Sequence, residues 1–184
     1  MDLETIIKQL EKANVTDTFG TKKEIKALPE IINDDETILY ATSGFFKGNT
    51  VLIVCTDSRI LFIDKGLIYG VKSYEIPLDM VNGVSYSIGL VFGKVSVVNG
   101  AITNEIDNID KKTVSILAVT IKKAANDYKN KLKQLTISSN VNTTDSDSIT
   151  QLLNVNSEIL HELKAIRHLL EKEVLCQKGL MPKF

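Results

Sequence analysis

Tryptophan is absent from this chain of 184 residues, and only two cysteines and two histidines occur. Each scarcity removes a class of function. Cys55 and Cys176 are far apart in sequence, so they offer neither a disulfide framework nor the close spacing of a metal site. His161 and His168 are the only side chains that titrate unperturbed near neutral pH. On a helix, positions i and i+7 lie about 10 Å apart, too far for one ion, and no third ligand stands at helical spacing. With both histidines near the end of the chain, no Ser-His-Asp or Cys-His arrangement can be assembled, and no nucleophile elbow is present. The glycines form neither a Walker loop nor a GxGxxG turn. The chain is therefore expected to be non-enzymatic and to carry no cofactor and no metal.

An excess of either charge is also lacking. The formal net charge is -1, with 24% charged and 43% hydrophobic residues. That balance belongs to globular proteins and gives no global pull towards nucleic acid or an anionic membrane. Strand aromatics are few, arginine is unclustered and no RNP-like pattern occurs, so nucleic acid is not an expected partner. No run approaches the roughly 18 apolar residues needed to span a bilayer. The opening MDLETIIKQLEK carries early acids and no long apolar core, unlike a secretory signal, and the expected location is the cytoplasm. The trio Asp34, Asp35 and Glu36 reads as a solvated loop rather than a cation site.

What is present is a dense series of strand-like runs over 36–107. Val, Ile, Tyr and Phe dominate them, and turn residues cut them at Thr56-Asp57-Ser58, Asp64-Lys65-Gly66 and Pro77. The expected strands are 37–43, 50–56, 59–64, 71–76, 81–88, 94–98 and 101–106, with 44–49 as the first hairpin loop. Asn99-Gly100 between two such runs is a strong hairpin signal. Seven short strands in about 70 residues point to an antiparallel sandwich or barrel.

Helices flank the strands. Leu3, Ile6, Ile7 and Leu10 fall at helical spacing, which predicts a helix over 2–13. In FGTKKEIKALPEIIND, Thr21 and Glu24 form a capping-box pattern, and Pro29 kinks or restarts the helix, which is expected to lean on one end of the sheet. Over 110–135, Val114, Leu117, Ile121, Ala124, Tyr128 and Leu132 make a stripe that suits a helix closing the barrel. The expected domains are 1–35, the N-terminal helices; 36–135, the β domain with its closing helix; 136–148, a polar linker; and 149–177, a coiled-coil helix. In the last, Ile149, Leu152, Asn156, Ile159, Leu163, Ile166 and Leu170 occupy a and d positions over about three heptads, with an asparagine at one a position. Both histidines fall at position f, the solvated side.

The motifs together resemble a known family. FGTKKEIKALP, the turn Thr56-Asp57-Ser58-Arg59, Asp64-Lys65-Gly66, Ile76-Pro77-Leu78-Asp79, and the later GKVSV and IDNIDKKTV are similar to bacterial pleckstrin-homology-like domains of the YokE-like group. The resemblance spans about 19–135. It implies an α+β fold in which a bent, seven-stranded antiparallel sheet is capped by a C-terminal helix. It also implies a bacterial or phage setting, and a short helical module after the domain, which the tail here replaces with a plainer coiled coil.

Three surfaces are candidates for binding. Phe45, Phe46 and Lys47 sit in the first hairpin loop. Strand alternation there buries one phenylalanine and exposes the other. If both are exposed, the loop is an apolar tip for a membrane or a protein pocket; otherwise they plug the barrel end or pack on the first helices. Inositol phosphates are held by several basic residues around this loop in eukaryotic pleckstrin-homology domains, and Lys47 alone does not reproduce that set. The helix over 110–135 carries a basic strip of Lys122, Lys123, Lys129 and Lys133, read either as a solvated face or as an anion-attracting one. The tail stripe is the third. The leading expectation is a binding or scaffolding module, homo-oligomeric through its tail. The alternatives are membrane lipid binding through Phe45, Phe46 and the basic strip, or a phage or host-directed protein that sequesters a protein or small molecule.

Overall fold

Apolar residues occupy both faces of the second and third strands, and the chain covers both faces. In the computed structural model, which describes residues 1–66, 70–141, 155, 159–160, 162–164 and 166–167 (137–141 as backbone), seven strands form one antiparallel sheet. These are β1 (Ile38–Phe46), β2 (Asn49–Thr56), β3 (Arg59–Lys65), β4 (Val71–Pro77), β5 (Val81–Ile88), β6 (Phe92–Asn99) and β7 (Ile102–Asp110). Their order is β4-β3-β2-β1-β7-β6-β5. The two halves meet where Phe45 of β1 faces Asp107 of β7. A Cβ on Gly44 would lie 2.7 Å from Ile53 and 3.1 Å from Ile106, so a residue without a side chain lets β7 cross β1 closely here.

Alternation sorts the strand residues into two cores. Val51, Ile53, Cys55, Ile60 and Phe62 point inward and join Val95, Val97, Ile106 and Ile109. Leu52, Val54, Leu61 and Ile63 point outward, against Ile6, Leu10, Leu28 and Ile32. The outer cover is made by α1 (Leu3–Lys12), α2 (Lys22–Ala27) and a 3-10 turn, Leu28–Glu30, that begins where Pro29 interrupts α2. The helices thus lie over the outer face of β1 to β3, and α2, expected to lean on one end of the sheet, sits there beside the end of β3. Asp2 caps α1 by accepting from the Thr5 N–H at 2.7 Å. The Thr21–Glu24 capping box does not form. The Thr21 hydroxyl donates instead to the Thr18 carbonyl, and buried Glu24 accepts from the Lys65 N–H at 2.9 Å, fastening α2 to the end of β3.

The closing helix, α3 (Val114–Val141), puts Val114, Leu117, Ile121 and Ala124 into the inner core, while Tyr128 is half-buried and Leu132 exposed. It starts later than expected, because 107–110 continue β7, and it ends later, because its backbone runs through 136–141 of the expected linker. The rest of that linker, 142–148, lies outside the described residues. The chain divides into two compact units, Met1–Lys133 and Gln134–Phe184. In the second, residues 155, 159–160, 162–164 and 166–167 are helical.

Candidate functional site

The turn Thr56-Asp57-Ser58-Arg59 is organised by a buried ion pair, and this makes it scaffold rather than site. The Glu36 side chain is 2% exposed and accepts from Arg59 Nη2 at 2.8 Å and Arg59 Nε at 3.0 Å. It also accepts from the Thr56 and Ser58 hydroxyls and the Asn33 N–H. Arg59 goes on to the Ile31 carbonyl and to Glu75. Burial alone raises the Glu36 pKa, but the hydrogen bonds from Arg59, Thr56 and Asn33 outweigh it and bring the carboxyl to about 2. The hydrogen bond to Glu36, and after it the bond to Glu75, raise the Arg59 pKa against the opposing effect of burial. Glu36 is therefore not part of a solvated acidic loop, as its sequence context had suggested. Among the described residues no group of three or more His, Cys, Asp or Glu could hold a metal ion.

The first hairpin turns one step later than expected. Lys47 (φ 47°) and Gly48 (φ 88°) are its central residues, both left-handed, which is the backbone of a type I′ turn. Phe45 and Phe46 therefore sit inside β1 and alternate, with Phe45 38% exposed and Phe46 5%. Phe46 stacks on Phe62 with centroids 4.2 Å apart, and the Lys47 Nζ lies 3.8 Å from the Tyr74 ring centre. Lys47 is thus engaged by the sheet's own aromatics.

Phe45 instead lines a cleft of about 440 Å³ with Asp17, Phe19, Ser43, Gly44, Thr50, Phe92, Asn108 and Asp110. The cleft exists because β1 parts from β7 beyond Phe45, and the segment after α1 fills the gap. The Ser43 N–H donates to the Asp17 carbonyl at 3.1 Å. The Asp17 carboxylate accepts from the Ser43 hydroxyl at 3.3 Å and from the Phe19 N–H at 3.2 Å, which fixes its position. Opposite, Asp110 accepts from the Lys112 N–H at 2.7 Å. Neither carboxylate is ion-paired among the described residues. The nearby Tyr40 hydroxyl is buried without a hydrogen-bond partner, and its pKa is raised by burial and then by the charges of Asp17 and Asp110.

Next to this cleft the β5–β6 hairpin is an exposed apolar tip. Leu90 is 91% exposed, and Ile88, Val91 and Phe92 are each more than half exposed. Sequence reasoning found neither feature. The tip had a readable signal, since GLVFG brackets apolar residues with glycines just as GFFKG does. Asp17, Phe19, Asn108 and Asp110 had none, because strand crossing alone brings them together.

The remaining candidates scatter. Lys122, Lys123 and Lys133 are exposed, but half-buried Lys129 donates to the Val81 carbonyl and so ties α3 to the start of β5. Of the tail residues, Ile159, Leu163 and Ile166 are helical and exposed. Ile149, Leu152, Asn156 and Leu170 lie outside the described residues, as do His161, His168 and Cys176. Cys55 is a buried thiol pushed up to about 12, mainly by burial, which makes it an inert core residue. No helix among the described residues is long and apolar enough to cross a membrane.

A bent seven-stranded antiparallel sheet, plugged by the helix that follows its last strand, defines a pleckstrin-homology type of domain. The family profile described as a bacterial PH domain matches residues 32–123, half of the chain, and the chain belongs to that family. Two solved structures are similar. One is a DUF1696 family protein with a pleckstrin-homology domain from Shewanella loihica PV-4, at 16% identity, TM-score 0.39, covering 58% of this chain and 90% of that one. The other is a pleckstrin homology domain from Shewanella amazonensis SB2B, at 17% identity, TM-score 0.37, covering 61% and 90%. No curated protein matches.

Proposed function

We propose that this chain is a non-enzymatic protein-binding scaffold, in which the PH-type domain supplies the contact surface and the tail helix sets the number of copies. The observation that carries this reading is the tail stripe. Ile159, Leu163 and Ile166 lie at spacings of four and three on helical backbone, and each is at least half exposed. The heptad continues in sequence through Ile149, Leu152, Asn156 and Leu170. Such a stripe is best covered by a second copy of itself, with the asparagine selecting register. Several linked copies of one weak surface gain avidity without any new contact. Leu163→Asp combined with Ile166→Asp is expected to return the protein to monomer mass by light scattering and to leave the unfolding transition of the β domain in place. An unchanged mass rejects the tail as the assembly element.

A second reading is supported by the β5–β6 tip. Exposed Leu90, Val91 and Phe92 would enter the interfacial region of a membrane, with Lys122 and Lys123 attracted to its anionic headgroups. Flotation with phosphatidylglycerol vesicles tests it. Binding should fall with added salt and with Leu90→Ser plus Val91→Ser; a protein that never floats, or floats equally after these changes, removes this reading.

A further inference from the structure

We propose that the cleft lined by Asp17, Phe19, Phe45, Phe92 and Asp110 receives the side chain of an arginine or lysine presented by a partner polypeptide. The inference rests on the reading of this domain as a binding module, but not on its tail. Among the described residues the lining combines two carboxylates with three phenylalanine rings and contains no basic residue. An anion would be repelled by both carboxylates. An apolar group would strip water from them and return no hydrogen bond. A cation satisfies both halves of the lining at once, because carboxylates pair with it and aromatic faces attract it through their quadrupole. A guanidinium does this best, since its flat fork donates to a carboxylate while its face lies against a ring.

The acceptor is preorganised. The Ser43 hydroxyl and the Phe19 N–H hold the Asp17 carboxylate in place, so a ligand need not order it. Phe19, 87% exposed, stands at the rim beside Gly20 and has little packing of its own. A polypeptide is favoured over a free amine because Phe92 belongs both to the cleft and to the exposed hairpin of Leu90 and Val91. Residues flanking the basic side chain would find apolar surface there, whereas a free amine would leave it bare.

The test is an NMR titration of the full-length, nitrogen-15-labelled protein at low salt with three probes. These are the blocked dipeptide mimic N-acetyl-arginine-N-methylamide, its neutral citrulline analogue, and phosphocholine. The arginine probe should give saturable amide shifts at Asp17, Phe19, Phe45, Asn108 and Asp110, with Kd on the order of millimolar. The citrulline analogue should bind about tenfold more weakly. Asp110→Asn keeps an oxygen for the Lys112 N–H and should weaken arginine binding about tenfold, and Phe19→Ala about threefold. Equal binding of arginine and citrulline, or no saturable shift up to about 50 mM, overturns the proposal. Tighter binding of phosphocholine overturns it in favour of a lipid headgroup. Saturable arginine shifts confined to another surface reject this cleft while leaving the binding-module reading intact.

Discussion

Arg59→Met is expected to destabilise the β domain by about 3–5 kcal/mol at pH 7, read from the urea midpoint of unfolding. The methionine keeps most of the packing volume but leaves the Glu36 carboxylate buried and unpaired. In the parent protein that carboxylate is held by two guanidinium nitrogens, two hydroxyls and a backbone N–H. Arg59 also joins Ile31 at the end of the helical cover, the β2–β3 turn and Glu75 on β4. Glu75 is about half exposed, so its share of the loss is small. The pH dependence separates this account from a loss of packing. The folded pKa of Glu36 is lowered from 4.5 to about 2. Its contribution is therefore fully present above pH 4.5 and is lost as pH falls towards 2, about 3 kcal/mol over that window. In Arg59→Met the sign reverses, because burial, the largest influence on this carboxyl, then outweighs the remaining Thr56, Ser58 and Asn33 donors and the folded state gains protons first. The variant should thus recover part of its deficit between pH 7 and pH 5, where the parent is flat. A deficit that stays constant over that range would assign the loss to packing alone.

The seven strands were legible because their apolar runs are cut by turn residues whose chemistry is local. All seven appear within a few residues of the expected limits, and Pro29 interrupts α2 where the sequence places it. The capping box failed because tertiary contacts outbid a local preference: Glu24 is buried against Lys65, and its carboxylate serves the end of β3. Glu36 misled for the same reason. Its neighbours in sequence are acids, but its partner is 23 residues away. Two glycine-bracketed runs, GFFKG and GLVFG, offered the same apparent signal and behave oppositely. In the first, the turn falls on Lys47 and Gly48, so both phenylalanines stay in β1. In the second, β5 ends at Ile88 and β6 begins at Phe92, so Leu90 and Val91 become the tip itself. Turn chemistry at one position decided which apolar pair stays within a strand and which forms the turn. The cleft was beyond reach of any local pattern, because Asp17, Phe45, Phe92 and Asp110 come from four separate segments that only the β1–β7 crossing brings together.

That crossing makes the neighbouring phenylalanines a test of register. Phe46→Ser should cost about 3–5 kcal/mol, since it removes a ring stacked on Phe62 and tilted 5.5 Å from Tyr74 and leaves a hydroxyl in the inner core. Phe45→Ser, on the half-exposed face, should cost less than about 1 kcal/mol. In thermal unfolding the two variants should differ by more than about 8 °C for a domain of this size. The contrast follows from the strand period of two, by which a slip of one residue in β1 exchanges the faces of both side chains. Equal losses would mean that the first turn does not pin the register at Lys47 and Gly48. A reversed order would turn Phe46 outward and put Phe45 in the core, and the cleft would lose one of its three rings. The stability of these two variants therefore bears on the proposed cation pocket as directly as on the fold, because the same turn that buries Phe46 delivers Phe45 to its wall.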